Sequence, residues 1–151
     1  MIVLDSAFLI KIIRKHPGSI EILEELDQIP LYTTIINVYE IWYGFFKNKK
    51  INNDPKWNKE IKNRIENLLK KILILDLTKI NVEVCAEIGG TLTRMGQDIG
   101  DKYSIITGIM KVNGLKKIIT GNTEHFKRVD GIIPISETLS RKKIIEIIEK
   151  N

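Results

Sequence analysis

Acidic side chains that follow short apolar segments are the residues of this sequence most able to do chemistry. Asp5 directly follows the apolar segment Ile2–Leu4, Asp76 follows a second such segment, and Glu40 lies in a helical stretch behind a third. The two histidines and the single cysteine are isolated from one another, so none belongs to a cluster with zinc-ligand spacing. Carboxylates that converge without His or Cys suit a hard cation such as Mg²⁺ or Mn²⁺.

The elements that must bring these acids together alternate between short apolar strands and amphipathic helices. The predicted strands are Ile2–Leu4, Leu31–Thr34, Ile72–Leu75, Lys117–Thr120 and Ile132–Ile135. The predicted helices are a segment directly after Asp5, then Ile20–Leu26, Asn37–Phe46, Trp57–Lys71, Lys79–Met95, Tyr103–Val112 and Ser140–Lys150. This alternation predicts an α/β fold with a largely parallel sheet and helices on both faces.

The carboxyl ends of the parallel strands are the expected place for a site, because ligands of open α/β sheets bind outside those ends. The residues just past the predicted strands are Asp5, the start of the helix that carries Glu40, Asp76, the loop 121–124 and the residues after Ile135. We therefore expect these segments to line one edge of the sheet.

Length and composition indicate one globular domain, residues 1–151, in a reducing compartment. Hydrophobic residues make up 43% of the chain and charged residues 28%, and no apolar run approaches the ~20 residues of a membrane-spanning helix. The start of the chain does not match a signal peptide, and a lone cysteine, Cys85, cannot form an internal disulfide. We therefore expect a cytoplasmic protein without a membrane partner. The net charge of +5 favours polyanionic partners.

Four segments of the chain resemble the successive motifs of one family. They are VLDSAFLI (3–10), TTIINVYEIWYG (33–44), GQDIGDKYSIITGI (96–109) and ITGNTEHFKRVDGI (119–132). In this order and spacing the chain resembles PIN domains, and among them the VapC-type toxin ribonucleases, over essentially its whole length.

The resemblance implies a PIN-like parallel sheet of about five strands and an acidic pocket that holds one or two divalent ions, Mg²⁺ or Mn²⁺. It also implies a metal-dependent endoribonuclease that hydrolyses RNA phosphodiester bonds with metal-activated water. Such an enzyme would be the toxin of a toxin–antitoxin pair. Its implied partners are RNA, a VapB-type antitoxin and a second copy of the chain in a homodimer.

The resemblance also assigns the catalytic and metal-binding acids. Asp5 stands at the family's first metal-binding aspartate, and Glu40 stands at its helical glutamate. The third acid of the family follows four residues after the isoleucine of an Ile-Gly pair, and this position falls here on Tyr103. Asp101 is the nearest substitute, so the expected site is Asp5, Glu40 and Asp101. The alternative role for Asp101 is that of a helix cap.

Polar and basic residues outside the acidic set are candidates for RNA contact. Thr120 and Asn122, in the T-G-N motif, could hydrogen-bond a phosphate beside the metal. Lys47, Lys49 and Lys50 begin a basic loop and helix that could follow an RNA backbone. The alternative for this basic segment is a solvated helix face.

Two other interpretations stay open at this point. Ala7 replaces a hydroxyl residue that is common in the family, while Tyr103 and His125 stand where acids are often found. These changes favour a catalytically weak or inactive PIN-fold module that binds RNA or an antitoxin. The remaining interpretation is a receiver-like or flavodoxin-like signalling domain. A receiver would carry paired acids after the first strand and a lysine after the fifth, whereas this chain has Asp5 alone and then Ser136–Glu137.

Overall fold

A computed structural model describes residues 1–150, and a five-stranded parallel sheet forms its centre. The strands are β1 (Ile2–Leu4), β2 (Leu31–Thr34), β3 (Leu73–Leu75), β4 (Lys117–Thr120) and β5 (Ile133–Ser136). Their order across the sheet is β3-β2-β1-β4-β5, so the chain leaves β1 at Asp5 between the ends of β2 and β4. The predicted α/β fold is confirmed. Asn151, the last residue of the expected domain, lies outside the described residues.

Helices cover both faces of this sheet. They are α1 (Ser6–Ile13), α2 (Pro17–Glu25), α3 (Ile35–Lys47), α4 (Pro55–Leu69), α5 (Lys79–Arg94), α6 (Asp101–Val112), α7 (Thr123–Phe126) and α8 (Arg141–Glu149). A 3-10 turn, Lys49–Asn52, lies in the basic segment between α3 and α4. None of the helices within residues 1–150 has the length and apolar composition needed to cross a bilayer.

Alternating strand side chains divide the interior into two cores. In β1, the side chains of Ile2 and Leu4 pack into one core, and that of Val3 packs into the other. Successive strand residues point to opposite faces of a sheet. Helices α1, α2, α3, α4 and α8 cover the first face, and α5, α6 and α7 cover the second. Burial on both faces explains why β1 is a continuous apolar run.

Two helix starts differ from the expectation at points that matter for function. Helix α3 begins at Ile35, because the Thr34 hydroxyl accepts a hydrogen bond from the Asn37 backbone N–H at 3.3 Å. Helix α6 begins at Asp101, earlier than predicted, with Gly100 at its cap. Gly100 has a φ of 79°, a backbone conformation that favours glycine. Asp101 therefore lies inside the first turn of α6, and the alternative that it caps this helix is wrong.

Other boundaries shift without changing the topology. Helix α2 begins at Pro17, with the His16 ring accepting a hydrogen bond from the Ser19 backbone N–H at 3.3 Å. Helix α7 forms in a segment that was expected to be a loop. These are local capping and turn effects, which apolar periodicity does not report.

Helices α5 and α6 pack at backbone distance. A Cβ atom at Gly108 would lie 2.8 Å from the Cys85 Cα, and one at Gly89 would lie 2.9 Å from the Ser104 Oγ. Because the two helices are in such close contact, α6 cannot be turned about its own axis relative to α5 without a clash. The start of α6, with Lys102 in its first turn, is thereby held at the carboxyl edge of the sheet.

Candidate active site

Asp5 lies at the centre of the carboxyl edge, between β2 and β4. It is 2% exposed, and its backbone N–H donates to the Ile119 carbonyl at 3.0 Å. Its Oδ1 accepts a hydrogen bond from the Ser6 backbone N–H at 2.9 Å, and its Oδ2 accepts one from the Thr120 hydroxyl at 2.6 Å. The carboxylate is therefore held at both oxygens in the position that the sheet topology predicted.

Burial is the main influence on the Asp5 carboxyl group, and it raises the pKa of Asp5 above its ordinary value. The hydrogen bond from Thr120 and the positive charge of Lys102 oppose this effect but do not cancel it. Burial makes the charged form of the Asp5 carboxyl group unfavourable. A cation bound beside the carboxylate would stabilise that charged form.

Glu40 approaches Asp5 from helix α3. The Glu40 Oε2 accepts a hydrogen bond from the Ser6 hydroxyl at 2.7 Å, and its side chain is 26% exposed. Since the backbone N–H of the same serine donates to Asp5, Ser6 joins the two carboxylates. The structure thus brings together two of the three acids expected from the sequence.

Lys102, in the first turn of α6, contacts the carboxylate oxygen of Glu40 that Ser6 leaves free. Its Nζ is 2.9 Å from the Glu40 Oε1 and 4.5 Å from the centroid of the Tyr103 ring. Partial burial lowers the pKa of Lys102, but the hydrogen bond and negative charge of Glu40 outweigh burial, and the pKa is raised overall. Lys102 was not expected at the site, and no motif in the sequence points to it.

Asp101 does not join the other two acids. It is exposed and lines a separate depression of α5 and α6, together with Ala86, Gly90 and Arg94. Neighbouring helix residues point about 100° apart, so Asp101 is turned outward when Lys102 faces Glu40. Within residues 1–150, no group of three or more His, Cys, Asp or Glu side chains is arranged to hold a metal ion. The structure therefore places Asp5 and Glu40 together and Asp101 apart from them.

An aromatic stack occupies the positions where the sequence departs from the family's acids. The rings of Tyr103 and His125 lie parallel within 15°, with 4.4 Å between their centroids. The Asn122 amide donates to the Tyr103 hydroxyl. Among the described residues, the buried His125 Nδ1 has no hydrogen-bond partner. The Lys102 Nζ lies 4.5 Å from the centroid of the Tyr103 ring, so the stack borders the contact between Lys102 and Glu40.

The RNA-contact candidates fall into two groups. Thr120 is fully buried, and its hydroxyl both donates to Asp5 and accepts from the Asn122 backbone N–H at 3.0 Å. Thr120 is therefore placed to orient Asp5, which corrects the expectation that it contacts phosphate. Asn122 follows β4, and its side-chain amide donates to the Tyr103 hydroxyl.

The basic candidates lie apart from the acids. Lys47, Lys49 and Lys50 are exposed at the end of α3 and in the 3-10 turn after it. The Lys47 Nζ lies 5.6 Å from the centroid of the Tyr43 ring. Their side chains are free to meet a polyanion from solvent.

Two carboxylates with oxygen-rich neighbours can hold a hard divalent cation. Each carboxylate oxygen has two lone pairs, so one hydrogen bond leaves room for a metal. Asn37 is fully buried in the first turn of α3, and its amide N–H₂ donates to the Leu4 carbonyl at 3.4 Å. Its Oδ1 has no hydrogen-bond partner within residues 1–150. This donor set fits Mg²⁺ or Mn²⁺, which keep several waters and need few protein ligands.

The residues past β5 form a second charged contact beside the pocket. The Glu137 Oε1 lies 2.6 Å from the Lys11 Nζ, and the Glu137 side chain is 7% exposed. A Cβ atom at Gly121 would lie 3.1 Å from the same carboxylate oxygen, so a glycine suits that position. Asp76, past β3, is exposed. The acids after the strands thus share one edge of the sheet but form separate clusters.

Comparison with known proteins adds a family match. The family model of the PIN domain matches residues 2–132. No curated protein is similar enough to this chain to count as a match.

Several solved structures share the fold. VapBC2 from Rickettsia felis, bound to a DNA fragment from its promoter, has a TM-score of 0.76 and 23% identity, over 90% of this chain and 98% of that one. DNA-bound VapBC from Salmonella typhimurium has a TM-score of 0.75 and 22% identity, over 90% and 97% of the two chains. VapBC-1 from nontypeable Haemophilus influenzae has a TM-score of 0.73 and 21% identity, over 92% and 100%. At these identities the likeness concerns the fold.

Proposed function

Because this chain belongs to the PIN domain family, we propose that it is a metal-dependent endoribonuclease whose metal site is built on Asp5 and Glu40. PIN domains are generally nucleases. The observation that carries the proposal is the Ser6 bridge, which holds these two carboxylates together at the carboxyl edge of the sheet. Mg²⁺ and Mn²⁺ are the cations that suit this donor set.

The residues around the pair have separate tasks in this proposal. When bound, the divalent ion would neutralise charge on the phosphodiester and acidify water. Asp5 and Glu40 would hold the ion, while Ser6 and Thr120 keep the carboxylates in place. The Asn37 Oδ1, which has no hydrogen-bond partner within residues 1–150, is a further oxygen close to Asp5, because the Asn37 amide contacts the carbonyl of the preceding Leu4.

RNA is the proposed substrate, and the exposed basic segment is its proposed contact. Lys47, Lys49 and Lys50 would neutralise backbone phosphates in a sequence-independent way. Asn122, whose side-chain amide contacts the Tyr103 hydroxyl, is the proposed contact of a phosphate next to the scissile bond. The net charge of +5 agrees with a polyanionic substrate.

We assign the protein to a toxin–antitoxin pair as its toxin, acting in the cytoplasm with a VapB-type antitoxin. The shared fold with VapBC structures supports the assignment to a toxin–antitoxin pair. The buried thiol of Cys85, which forms no disulfide, agrees with the reducing cytoplasm. An apolar groove lined by residues such as Ile13, Ile41 and Trp57 could receive an antitoxin segment. Co-expression with VapB-type antitoxins would test the pairing, because an antitoxin partner suppresses toxicity and co-purifies.

A second candidate function is a PIN module that binds RNA or an antitoxin and cuts weakly or not at all. The observation that favours it is the composition of the pocket beyond the acidic pair. Lys102 neutralises Glu40, and Tyr103 and His125 fill the positions of further acids. Each change lowers the negative charge available to a metal.

Cleavage of a labelled, structured RNA in the presence of Mn²⁺, Mg²⁺ or EDTA tests the leading proposal. Asp5→Asn should abolish metal-dependent cutting, because it removes one of the two charged ligands. Asp76→Asn is the matched control, since Asp76 follows β3 at the same edge and is exposed. Asp101→Asn should also retain cutting, because Asp101 faces α5.

The alternatives are separated by the same assay. Loss of cutting in Asp101→Asn would return that residue to the metal site. If folded wild-type protein cuts none of several RNAs with any of the metals, the ribonuclease proposal is wrong and the non-catalytic module replaces it.

A further inference from the structure

The ion pair between Lys102 and Glu40 puts a cation of the protein itself at the proposed metal site. The Lys102 Nζ donates to the Glu40 Oε1 at 2.9 Å. The other oxygen of Glu40 accepts the Ser6 hydroxyl at 2.7 Å. Both oxygens of the one partly exposed carboxylate in the pair therefore have partners.

An ammonium group and a divalent ion would repel each other at this carboxylate. A positive charge within a few ångströms lowers the attraction of the same oxygen for a second cation, and partial burial strengthens that effect. Asp5 is only 2% exposed, whereas the Glu40 side chain is 26% exposed, so a cation that arrives from solvent meets Glu40, and with it Lys102, first. The Lys102 side chain is 35% exposed, so its amine has a route to solvent when it leaves Glu40.

The packing of α6 makes this contact a fixed feature of the fold. Gly108 of α6 rests against the Cys85 backbone of α5, which holds the rotation of the helix. That rotation directs Lys102 toward Glu40 and the Tyr103 ring. The helix rotation therefore keeps the Lys102 side chain within reach of Glu40.

We propose that Lys102 is a resident counter-ion of Glu40 that a divalent ion must displace, and that it sets the metal concentration at which the site fills. This inference rests on the proposed function, because it takes Asp5 and Glu40 as the metal ligands. Lys102 acts here on metal loading and not on the substrate.

The test is the affinity of the metal-free full chain for Mn²⁺, measured by isothermal titration calorimetry and by the rise in melting temperature with Mn²⁺. Lys102→Met removes the charge and keeps the length of the side chain, whereas Lys102→Arg keeps the charge. Lys111→Met is the matched control, because Lys111 is exposed at the far end of the same helix. Lys102→Gln is a second uncharged variant in case the methionine disturbs the fold.

Lys102→Met should bind Mn²⁺ roughly tenfold more tightly or better, the change expected when one charge-assisted hydrogen bond stops competing. Lys102→Arg and Lys111→Met should bind as wild type does. Adding Asp5→Asn to Lys102→Met should remove the gain. Binding that becomes detectable only in the uncharged variants would support the inference equally.

Three results would overturn it. An unchanged or weaker affinity in Lys102→Met and Lys102→Gln, with measurable binding by wild type, would reject the competition and leave the proposed metal site standing. A gain that survives Asp5→Asn would place the effect elsewhere. If neither wild type nor any folded variant binds Mn²⁺, the proposed metal site is wrong and the inference falls with it.

Discussion

Two residues far apart in sequence donate hydrogen bonds to the Asp5 carboxylate, Ser6 through its backbone N–H and Thr120 through its side-chain hydroxyl. Ser6 follows Asp5 directly, while Thr120 comes from β4 and donates to the Asp5 Oδ2 at 2.6 Å. The same hydroxyl accepts from the Asn122 backbone N–H. Each of these bonds lies in a region with little water, so a lost partner is not replaced by solvent.

Thr120→Val should therefore lower the free energy of unfolding by about 1.5–3 kcal/mol, the usual contribution of a hydrogen bond to a charged group. Valine keeps the shape of threonine but leaves the Asp5 oxygen and the Asn122 N–H without their partner. Urea denaturation of the metal-free protein measures the change. Thr120→Ser, which keeps the hydroxyl, should lose much less. Equal losses in the two variants would mean that packing of the methyl group, and not the hydrogen bond, stabilises this position.

At the scale of elements, the crossing of α5 and α6 decides which side chains reach the pocket. The two helices approach so closely that Gly108 meets the backbone of Cys85. Helix α6 delivers Lys102 and Tyr103 to the site and turns Asp101 away from it. A small displacement of α6 would thus change both the charge and the shape of the pocket.

Gly108→Ala should destabilise the fold by about 1–3 kcal/mol, because the new methyl group has no room against a backbone. Gly90→Ala in α5 is the matched control, since within the described chain no atom lies within 4 Å of the added Cβ. There the substitution should stabilise the protein by about 0.5–1 kcal/mol through helix propensity. Thermal and urea unfolding measure both. A neutral Gly108→Ala would show that the helices can separate at low cost.

At the scale of the whole molecule, acidic and basic groups lie on different parts of the surface. The carboxylate pair sits at the sheet edge, and Lys47, Lys49 and Lys50 lie beyond the end of α3. A substrate that bridges the two would place its phosphates on the lysines. Affinity for such a substrate depends on salt, because each neutralised phosphate releases counter-ions.

Replacing these three lysines with glutamine should weaken RNA binding and reduce the slope of log K against log salt by about 2. Fluorescence anisotropy with a labelled single strand in EDTA measures binding without cleavage. The control replaces Lys116, Lys142 and Lys143, which are exposed and lie before β4 and in α8. An equal effect of both triple variants would mean that the affinity for RNA depends on the net charge of the protein and not on the position of these lysines.

The homodimer implied by the resemblance to VapC-type toxins stays a prediction, and the exposed tyrosines of α3 offer a test of it. Tyr39 is 64% exposed, Tyr43 is 54% exposed, and their ring centroids lie 6.0 Å apart. Tyrosine pairs of this kind are enriched at interfaces. Tyr39→Ser combined with Tyr43→Ser should convert a dimer to a monomer in sedimentation velocity, whereas Met95→Ser, at an exposed residue of α5's end, should not. A wild-type monomer at micromolar concentration would contradict the dimer itself.

Much of the architecture follows from local patterns. Continuous apolar runs such as Ile2–Leu4 predict strands buried on both faces, and alternation with helices predicts parallel pairing. The rule that sites lie past the carboxyl ends of such strands predicts Asp5 at that edge of the sheet, and Asp5 lies there between β2 and β4. The motif around Glu40 predicted that this residue lies near Asp5. The two carboxylates are joined by Ser6, which donates hydrogen bonds to both.

The sequence by itself determined the strands, their parallel arrangement and the acid at the end of β1. Each of these depends on residues that are neighbours along the chain. Only the tertiary structure decided what surrounds that acid. Lys102 reaches Glu40 across 62 positions of sequence, and it does so because Gly100 starts α6 early and the contact with α5 sets the helix rotation. A rotation of α6 by one residue would exchange the outward carboxylate of Asp101 for the inward ammonium group of Lys102. Packing between the helices, and not the local sequence, fixes that rotation.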